Sequence, residues 1–260
     1  MVALIGEASP RVEDRKFLTG AGKYLDDLEF SDVCHAVFIR SPHAHARILS
    51  LSAAIAKEMP GVLDIITADD VELSKLNALK PFVQENPNTG EAFSFVEQPL
   101  LARNVVRYQG EPIVLVVAET VAQALDASEV VEIEYSPLPH VLDSKEAANP
   151  DSIKLNSQLD ENIAVKWNTG NSQEIENVFN SADNVVKLTV QNQRIVTNPM
   201  EPRGIVAEWN ISTGRYTLYG SSQNIHVMRT CVADMLGVAE ALVRFIAPDV
   251  GGGFGSKNFC

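Results

Sequence analysis

The glycine-rich stretch from Asp249 to Lys257, with the sequence DVGGGFGSK, constrains the backbone more than any other segment of this chain. It follows a β-branched run, Val243 to Ile246, that predicts a strand, and Pro248 ends that strand. Because positions 251, 252, 253 and 255 are all glycine, the main chain there can adopt positive φ and approach a ligand closely. Spacing alone leaves two interpretations open, a loop that holds a ligand against its amides and a plain turn.

The spacing of this stretch excludes two nucleotide-binding loops. A phosphate-binding P-loop requires G-x-x-x-x-G-K-[ST], whereas here Ser256 precedes Lys257 and Asn258 follows it. A dinucleotide fingerprint requires G-x-G-x-x-G at the start of a helix, whereas the glycines at 251, 253 and 255 follow a G-x-G-x-G pattern. The sequence therefore contains neither motif here.

The composition narrows the possible partners. The 260 residues carry a formal net charge of −13, so phosphates and anionic lipid head groups would be repelled, and we expect no nucleic-acid partner. The longest apolar runs are far too short to span a membrane, and the N-terminus shows no signal peptide. The three cysteines form no C-x-x-C pair, which predicts free thiols, no iron–sulfur cluster or structural zinc on this chain, and a cytoplasmic location.

Residues up to about Pro139 have the pattern of a compact strand–helix–strand unit. Cys34 to Arg40 and the continuous apolar run Glu111 to Ala118 predict strands, the second buried on both faces. Thr120 is a candidate N-cap of a helix through Ser128, and Val130 to Tyr135 returns as an alternating strand. His43 and His45 would share one strand face. Lacking a third ligand nearby, they are more typical of hydrogen-bonded or partner-facing histidines than of a metal site.

A second unit follows a linker, which the break in periodicity and the Pro150-Asp151 turn signal predict. Its predicted elements are a helix over Ser172 to Ser181, strands over Asn184 to Gln191, Gly204 to Trp209 and Arg215 to Tyr219, and a helix over Ile225 to Leu236. Gly237 is expected to cap the last helix.

Several blocks of the chain, taken together and in order, resemble the molybdenum-cofactor subunit of the xanthine dehydrogenase, aldehyde oxidase and aerobic carbon monoxide dehydrogenase family. The blocks are RVED with FLTG (11–20), SPHAHAR (41–47), GEP before VLVVAE (110–119), YSPLP (135–139), PMEPRG (199–204), SQN (222–224) and APDVGGGFG (247–255). Each block alone is weak, whereas the ordered set covers nearly the whole chain.

The resemblance implies a mixed α+β fold with four regions. These are an N-terminal arm (1–19), an α/β hammerhead domain (20–139), a linker (140–156) and the first, incomplete part of a molybdopterin-binding domain (157–260). By motif, the resemblance makes Gln223 the residue that hydrogen-bonds an oxo ligand of molybdenum. The resemblance also implies that the backbone of the glycine loop (Gly252, Gly253, Phe254, Gly255) faces the cofactor.

The residues themselves add two alternatives. A glutamine amide is a neutral donor that suits an oxo acceptor, and the alternative for Gln223 is a polar residue at a helix N-terminus. Glu201 and Arg203 either form a charge pair on the substrate or cofactor side, or a salt bridge that stabilises a loop.

The implied activity is hydroxylation of an aldehyde, an N-heterocycle or a carbon monoxide-type substrate with water-derived oxygen at a molybdenum–molybdopterin centre. The implied partners are an iron–sulfur subunit, an FAD subunit and a downstream molybdopterin segment. That segment would supply the family's general base, so we expect the isolated chain to be inactive. The alternative is a non-catalytic split or truncated assembly module. Ser256 and Asn258 replace the Gly and Glu of many relatives, which argues against a purine substrate.

Overall fold

The computed structural model describes residues 6, 8, 10–81, 83–86, 90–93, 95–167 and 169–258. The helices are α1 (Asp14–Leu18), α2 (Ala54–Lys57), α3 (Ala68–Leu73), α4 (Val121–Glu129), α5 (Ser144–Ala147), α6 (Ser172–Ser181) and α7 (Ile225–Leu236). The strands are β1 (His35–Arg40), β2 (Ala46–Ser52), β3 (Val62–Ile66), β4 (Val105–Val106), β5 (Pro112–Ala118), β6 (Glu132–Pro137), β7 (Ile205–Asn210), β8 (Arg215–Gly220) and β9 (Val243–Ile246). Two 3-10 helices span Leu25–Asp27 and Glu240–Leu242.

Contacts divide the chain into two compact units. The inner unit comprises residues 33–194, and the terminal unit joins residues 1–32 to residues 195–260. The mixed α+β class expected from the sequence is confirmed, whereas the domain boundaries at 19, 139 and 156 stay a prediction. None of the helices in the described ranges is long and apolar enough to cross a bilayer.

The centre of the inner unit is β5, which lies between β1 and β3 in an antiparallel sheet. Ile113, Val114 and Val116 are fully buried, as the continuous apolar run predicts. The helix α4 follows directly and packs on β1 and β5. Its first turn is capped by the Thr120 hydroxyl, which accepts a hydrogen bond from the N–H of Gln123 at 3.2 Å.

The second sheet of the inner unit has the order β4-β2-β6 and is antiparallel. In β6, Ile133 and Tyr135 are half-buried while Glu132 and Glu134 are exposed, so the predicted alternation is confirmed.

The terminal unit contains a three-stranded sheet in the order β7-β8-β9. The pair β7-β8 is an antiparallel hairpin, whereas β8 and β9 run parallel, with α7 in the crossover connection that a parallel pair needs. Val232 and Ala233 of α7 pack against Leu218 and Phe245 of the sheet. Gly237 caps α7 with φ +66°, as expected.

One predicted strand is absent. The residues from Asn184 to Gln191 form no regular element, although they alternate as a strand does. Val186 and Leu188 are 91% and 82% exposed, and among the described residues no strand pairs with this segment. A strand needs a neighbour for its N–H and C=O groups, so apolar alternation alone was insufficient evidence.

Candidate functional site

Three loops of the terminal unit meet at one edge of its sheet. The parallel strands β8 and β9 end at the same edge, so the segments that follow them, Ser221–Asn224 and Ala247–Lys257, emerge together. The segment before β7, from Pro199 to Arg203, joins them because Glu201 N–H donates to Gly251 O at 3.3 Å. The carboxyl ends of parallel strands are a common place for ligands.

Gln223 lies directly against the glycine loop. Its backbone N–H donates to Lys257 O at 3.0 Å. Its side-chain Oε1 accepts from Gly255 N–H at 3.0 Å and, in a longer contact, from Lys257 N–H at 3.4 Å. Reversing the amide would turn its NH2 group toward two N–H donors, so the hydrogen bonds determine its orientation. The Nε2 group is therefore an outward donor, and it has no partner among the described residues.

Glycine is needed at different positions of the loop for different physical reasons. A Cβ on Gly253 would lie 2.3 Å from Gln223 Cδ, so only glycine lets the side chain pack on the loop. Gly252 and Gly255 have φ of +98° and +83°, which L-residues rarely adopt. The positive φ expected from the sequence is confirmed, whereas the close approach of a ligand to this backbone stays a prediction.

Phe254 also has a left-handed backbone, with φ +49°, which is costly for a bulky residue. Its side chain is 73% exposed, so no burial of the ring explains this strain. Within the described part of the chain, the backbone N–H groups of Gly252, Gly253 and Phe254 have no hydrogen-bond acceptor. Three neighbouring N–H groups beside the Gln223 amide form a set of neutral donors that suits an electron-rich acceptor.

Glu201 faces inward, beneath this loop. Its Oε2 accepts from Gly251 N–H at 2.7 Å and from the Ser221 hydroxyl at 2.5 Å, and lies 3.2 Å from Lys257 Nζ. Its Oε1 accepts from Leu25 N–H at 3.2 Å. Burial alone would raise the pKa of Glu201, but the hydrogen bonds from Ser221, Gly251, Leu25 and Lys257 outweigh it and hold that pKa below its ordinary value. Glu201 thus forms a loop-stabilising ion pair, but with Lys257, a partner that the sequence analysis did not name, and its assignment to the substrate or cofactor side stays a prediction. Arg203 is exposed, and its role stays a prediction.

The N-terminal arm reaches the base of the same loop. Lys16 Nζ donates to Asp249 Oδ1 at 2.6 Å, and Lys23 N–H donates to Asp249 Oδ2 at 2.7 Å. The Lys16 ammonium and the Lys23 N–H hold the pKa of the Asp249 carboxyl below its ordinary value. Phe17 and Leu18 are exposed, and the Phe17 ring stacks on Tyr24 within the arm, so the contacts of the arm with Asp249 are polar.

Sequence reasoning missed the roles of Lys257, Ser221 and Asp249. A lysine beside a glycine run without P-loop spacing was the available signal for Lys257. In the inner unit, His45 Nδ1 lies 2.6 Å from Pro139 O and the His43 ring packs edge-on against Tyr135, which agrees with ordinary histidines. Both lie in the bend before β2, so they do not share a strand face. The described residues contain no group of three His, Cys, Asp or Glu side chains placed to hold a metal.

Comparison with known proteins identifies both halves of the chain. Residues 19–139 match the family model "Aldehyde oxidase and xanthine dehydrogenase, a/b hammerhead domain", and residues 155–260 match "Molybdopterin cofactor-binding domain". The nicotine 6-hydroxylase large subunit of Paenarthrobacter nicotinovorans is 37% identical over 98% of this chain and 30% of its own length. The carbon monoxide dehydrogenase large chain of Afipia carboxidovorans is 33% identical over 95% of this chain and 31% of its own length.

Solved structures agree. Quinoline 2-oxidoreductase from Pseudomonas putida 86 superposes with a TM-score of 0.82 at 35% identity, over 98% of this chain and 31% of that one. The Cu,Mo-CO dehydrogenase superposes with a TM-score of 0.85 at 32% identity, over 97% and 32% respectively. The chain thus spans about a third of the length of these relatives. Over that span it belongs to the xanthine dehydrogenase, aldehyde oxidase and carbon monoxide dehydrogenase family, as the N-terminal portion of a molybdopterin-binding large subunit.

Proposed function

We propose that this chain supplies one wall of the molybdenum–molybdopterin centre of a hydroxylase. One observation carries the proposal. The oxygen of the Gln223 amide is held by two N–H donors, so its NH2 group points outward beside the N–H groups of Gly252, Gly253 and Phe254, which have no acceptor among the described residues.

These residues fit the cofactor that the family implies. The donors are neutral and do not titrate, so they can hold an oxo-type acceptor at any physiological pH. The main chain at Gly253 is bare because the Gln223 side chain packs against it, which keeps the amide of Gln223 beside the loop. When bound, the molybdenum centre supplies two-electron oxidation of the substrate carbon. The role of this chain is to hold and orient that centre through Gln223 and the backbone of Gly252 to Gly255.

The substrate class we propose is an N-heterocycle, with aldehydes and carbon monoxide-type substrates as the other members of the family's range. The relatives at 37% and 35% identity are named for nicotine and quinoline, both N-heterocycles. The family resemblance leads one to expect a glutamate after Lys257, where this chain has the uncharged Asn258, and this difference supports a substrate other than a purine.

The partners we propose are an iron–sulfur subunit, an FAD subunit and a downstream molybdopterin segment. Several relatives are named as subunits or chains, one of them explicitly of a dehydrogenase complex, which supports a multi-subunit assembly. Electrons leaving the molybdenum centre need acceptors, and the two cysteines that the structure describes, Cys34 and Cys231, do not form a cluster site. The cytoplasmic location stays a prediction.

The test compares Gln223→Leu with the exposed control Gln191→Leu in the assembled complex. We expect the wild-type complex to contain molybdenum and pterin. We expect the Gln223→Leu complex to show a changed Mo(V) electron paramagnetic resonance spectrum. Its turnover should be about 100-fold slower, because removing one preorganised hydrogen-bond donor usually has an effect of this size. The control should match the wild type. A complex without molybdenum, or a Gln223→Leu variant that behaves like the control, would contradict the proposal. The first of these outcomes would favour a non-catalytic assembly module.

A further inference from the structure

Lys257 is a buried charge next to an exposed loop. Its side chain has 0% relative exposure, although its neighbours Phe254 and Gly255 are exposed. Lysine is almost never fully buried unless it is paired, because its ammonium loses water on burial. The proposed cofactor contacts do not use this side chain.

The ammonium group has three protein acceptors, one for each of its N–H donors. Nζ donates to Glu201 O at 2.8 Å, to Ser221 Oγ at 2.8 Å and to Glu201 Oε2 at 3.2 Å. The Ser221 hydroxyl accepts from Lys257 and donates its own proton to Glu201 Oε2, so the three side chains form a closed network. This network connects Ser221, in the segment that follows β8, to Glu201, in the segment before β7.

The main chain of the same lysine holds Gln223 from two sides. Lys257 O accepts from Gln223 N–H at 3.0 Å and from the Ser222 hydroxyl at 3.3 Å, while Lys257 N–H contacts Gln223 Oε1 at 3.4 Å. A displacement of the lysine side chain would therefore move the backbone groups that orient Gln223.

We infer that Lys257 is a positioning residue, whose buried pair with Glu201 and Ser221 orients the Gln223 amide so that its NH2 group faces outward. An apolar side chain could fill the same volume, but it would not fix the positions of Glu201 and Ser221 through hydrogen bonds. The charge network admits few arrangements, so it specifies the geometry of the loop. The consequence for the cofactor rests on the proposed function, but the orientation of Gln223 does not.

The test measures that orientation in the full 260-residue chain, without cofactor, by nuclear magnetic resonance. Two signals report it: hydrogen exchange of Gly255 N–H, which is bonded to Gln223 Oε1, and the Gln223 side-chain NH2 pair. In Lys257→Met we expect Gly255 exchange about 100-fold faster, as local opening would produce, and averaged Gln223 side-chain signals. The amides of Leu218 and Phe245 in the sheet should keep their protection, which shows that the unit stays folded.

Two further variants keep the result interpretable. The double variant Lys257→Met with Glu201→Gln removes both charges and should still lose the Gln223 orientation, because neutrality alone does not restore the network. If Lys257→Met does not fold, Ser221→Ala removes one partner, keeps both charges and should speed Gly255 exchange about tenfold. The control Lys166→Met removes an exposed surface pair with Glu161 and should change nothing in the loop.

The inference is overturned if Gly255 and Gln223 are unchanged in Lys257→Met, or if Leu218 and Phe245 lose protection equally in both Lys257→Met and Ser221→Ala. The second result would make the lysine a general support of the unit. A complex that lacks molybdenum would refute the proposed function and leave this measurement intact.

Discussion

Replacing Gly253 with alanine isolates the contact between the glycine loop and Gln223. The φ of Gly253 lies outside the left-handed region, so its backbone can accept alanine. The new Cβ would lie 2.3 to 2.5 Å from Cδ, Oε1 and Cγ of Gln223, and the nearest atoms all belong to that one side chain. We expect Gln223 to swing away, because a glutamine side chain on the surface is flexible, and the backbone to stay.

The expected decrease in the free energy of unfolding follows from the hydrogen bonds that Gln223 loses. Two neutral hydrogen bonds to Oε1, one of them long at 3.4 Å, are worth about 1 kcal/mol each at most. Alanine offsets about 0.5 kcal/mol by restricting the unfolded chain. The free energy of unfolding should therefore fall by only about 1 kcal/mol, while Gly255 N–H loses its acceptor.

Gly251→Ala is the matched comparison, because Gly251 also lies outside the left-handed region. Its Cβ would meet Glu201 Cβ at 2.5 Å and Glu201 Cα at 3.5 Å, so a rotation of the Glu201 side chain cannot relieve the clash. Disrupting the buried pair of Glu201 with Lys257 should cost about 3–5 kcal/mol.

The assay is urea unfolding followed by the fluorescence of Trp209 in a Trp167→Phe background, so that only the terminal unit is observed. Gly255 exchange is measured in parallel. Equal destabilisation by the two alanine variants, or undiminished Gly255 protection in Gly253→Ala, would refute the account of why these glycines are needed.

Two further predictions concern charge and the exposed segment. Because the folded pKa of Glu201 is lowered, its contribution to stability is present above the unfolded value of about 4.5 and is lost as the pH falls through the folded value. Glu201→Gln should therefore flatten the pH dependence of the unfolding free energy in that acid range, and an unchanged pH profile would contradict the assignment. Val186→Thr, at a position 91% exposed, should leave the unfolding free energy within about 0.5 kcal/mol and reduce self-association measured by light scattering. The same change at fully buried Val116 should cost about 1–3 kcal/mol, and comparable losses at both positions would show that the segment is packed.

Local chemistry in the sequence was sufficient for elements that carry their own signals. The run from Glu111 to Ala118 is apolar throughout, so its burial at the sheet centre could be predicted, and Thr120 and Gly237 mark helix ends by capping. The segment at 184–191 carried the same kind of signal and gave a wrong prediction. Whether an alternating segment becomes a strand depends on a neighbour that its own residues do not encode.

By itself, the sequence determined the bare glycine backbone, since the spacing of the glycines is a local property, whereas only the family resemblance implied that Gln223 lies close to this loop. Only the tertiary structure decided that Lys257 turns inward to Glu201 and Ser221, and that Asp249 holds the N-terminal arm across 226 residues of chain from Lys23. These contacts arise where the parallel ends of β8 and β9 bring distant segments together. A charged side chain is buried only when its partners are already in place, and that placement is a property of the folded chain.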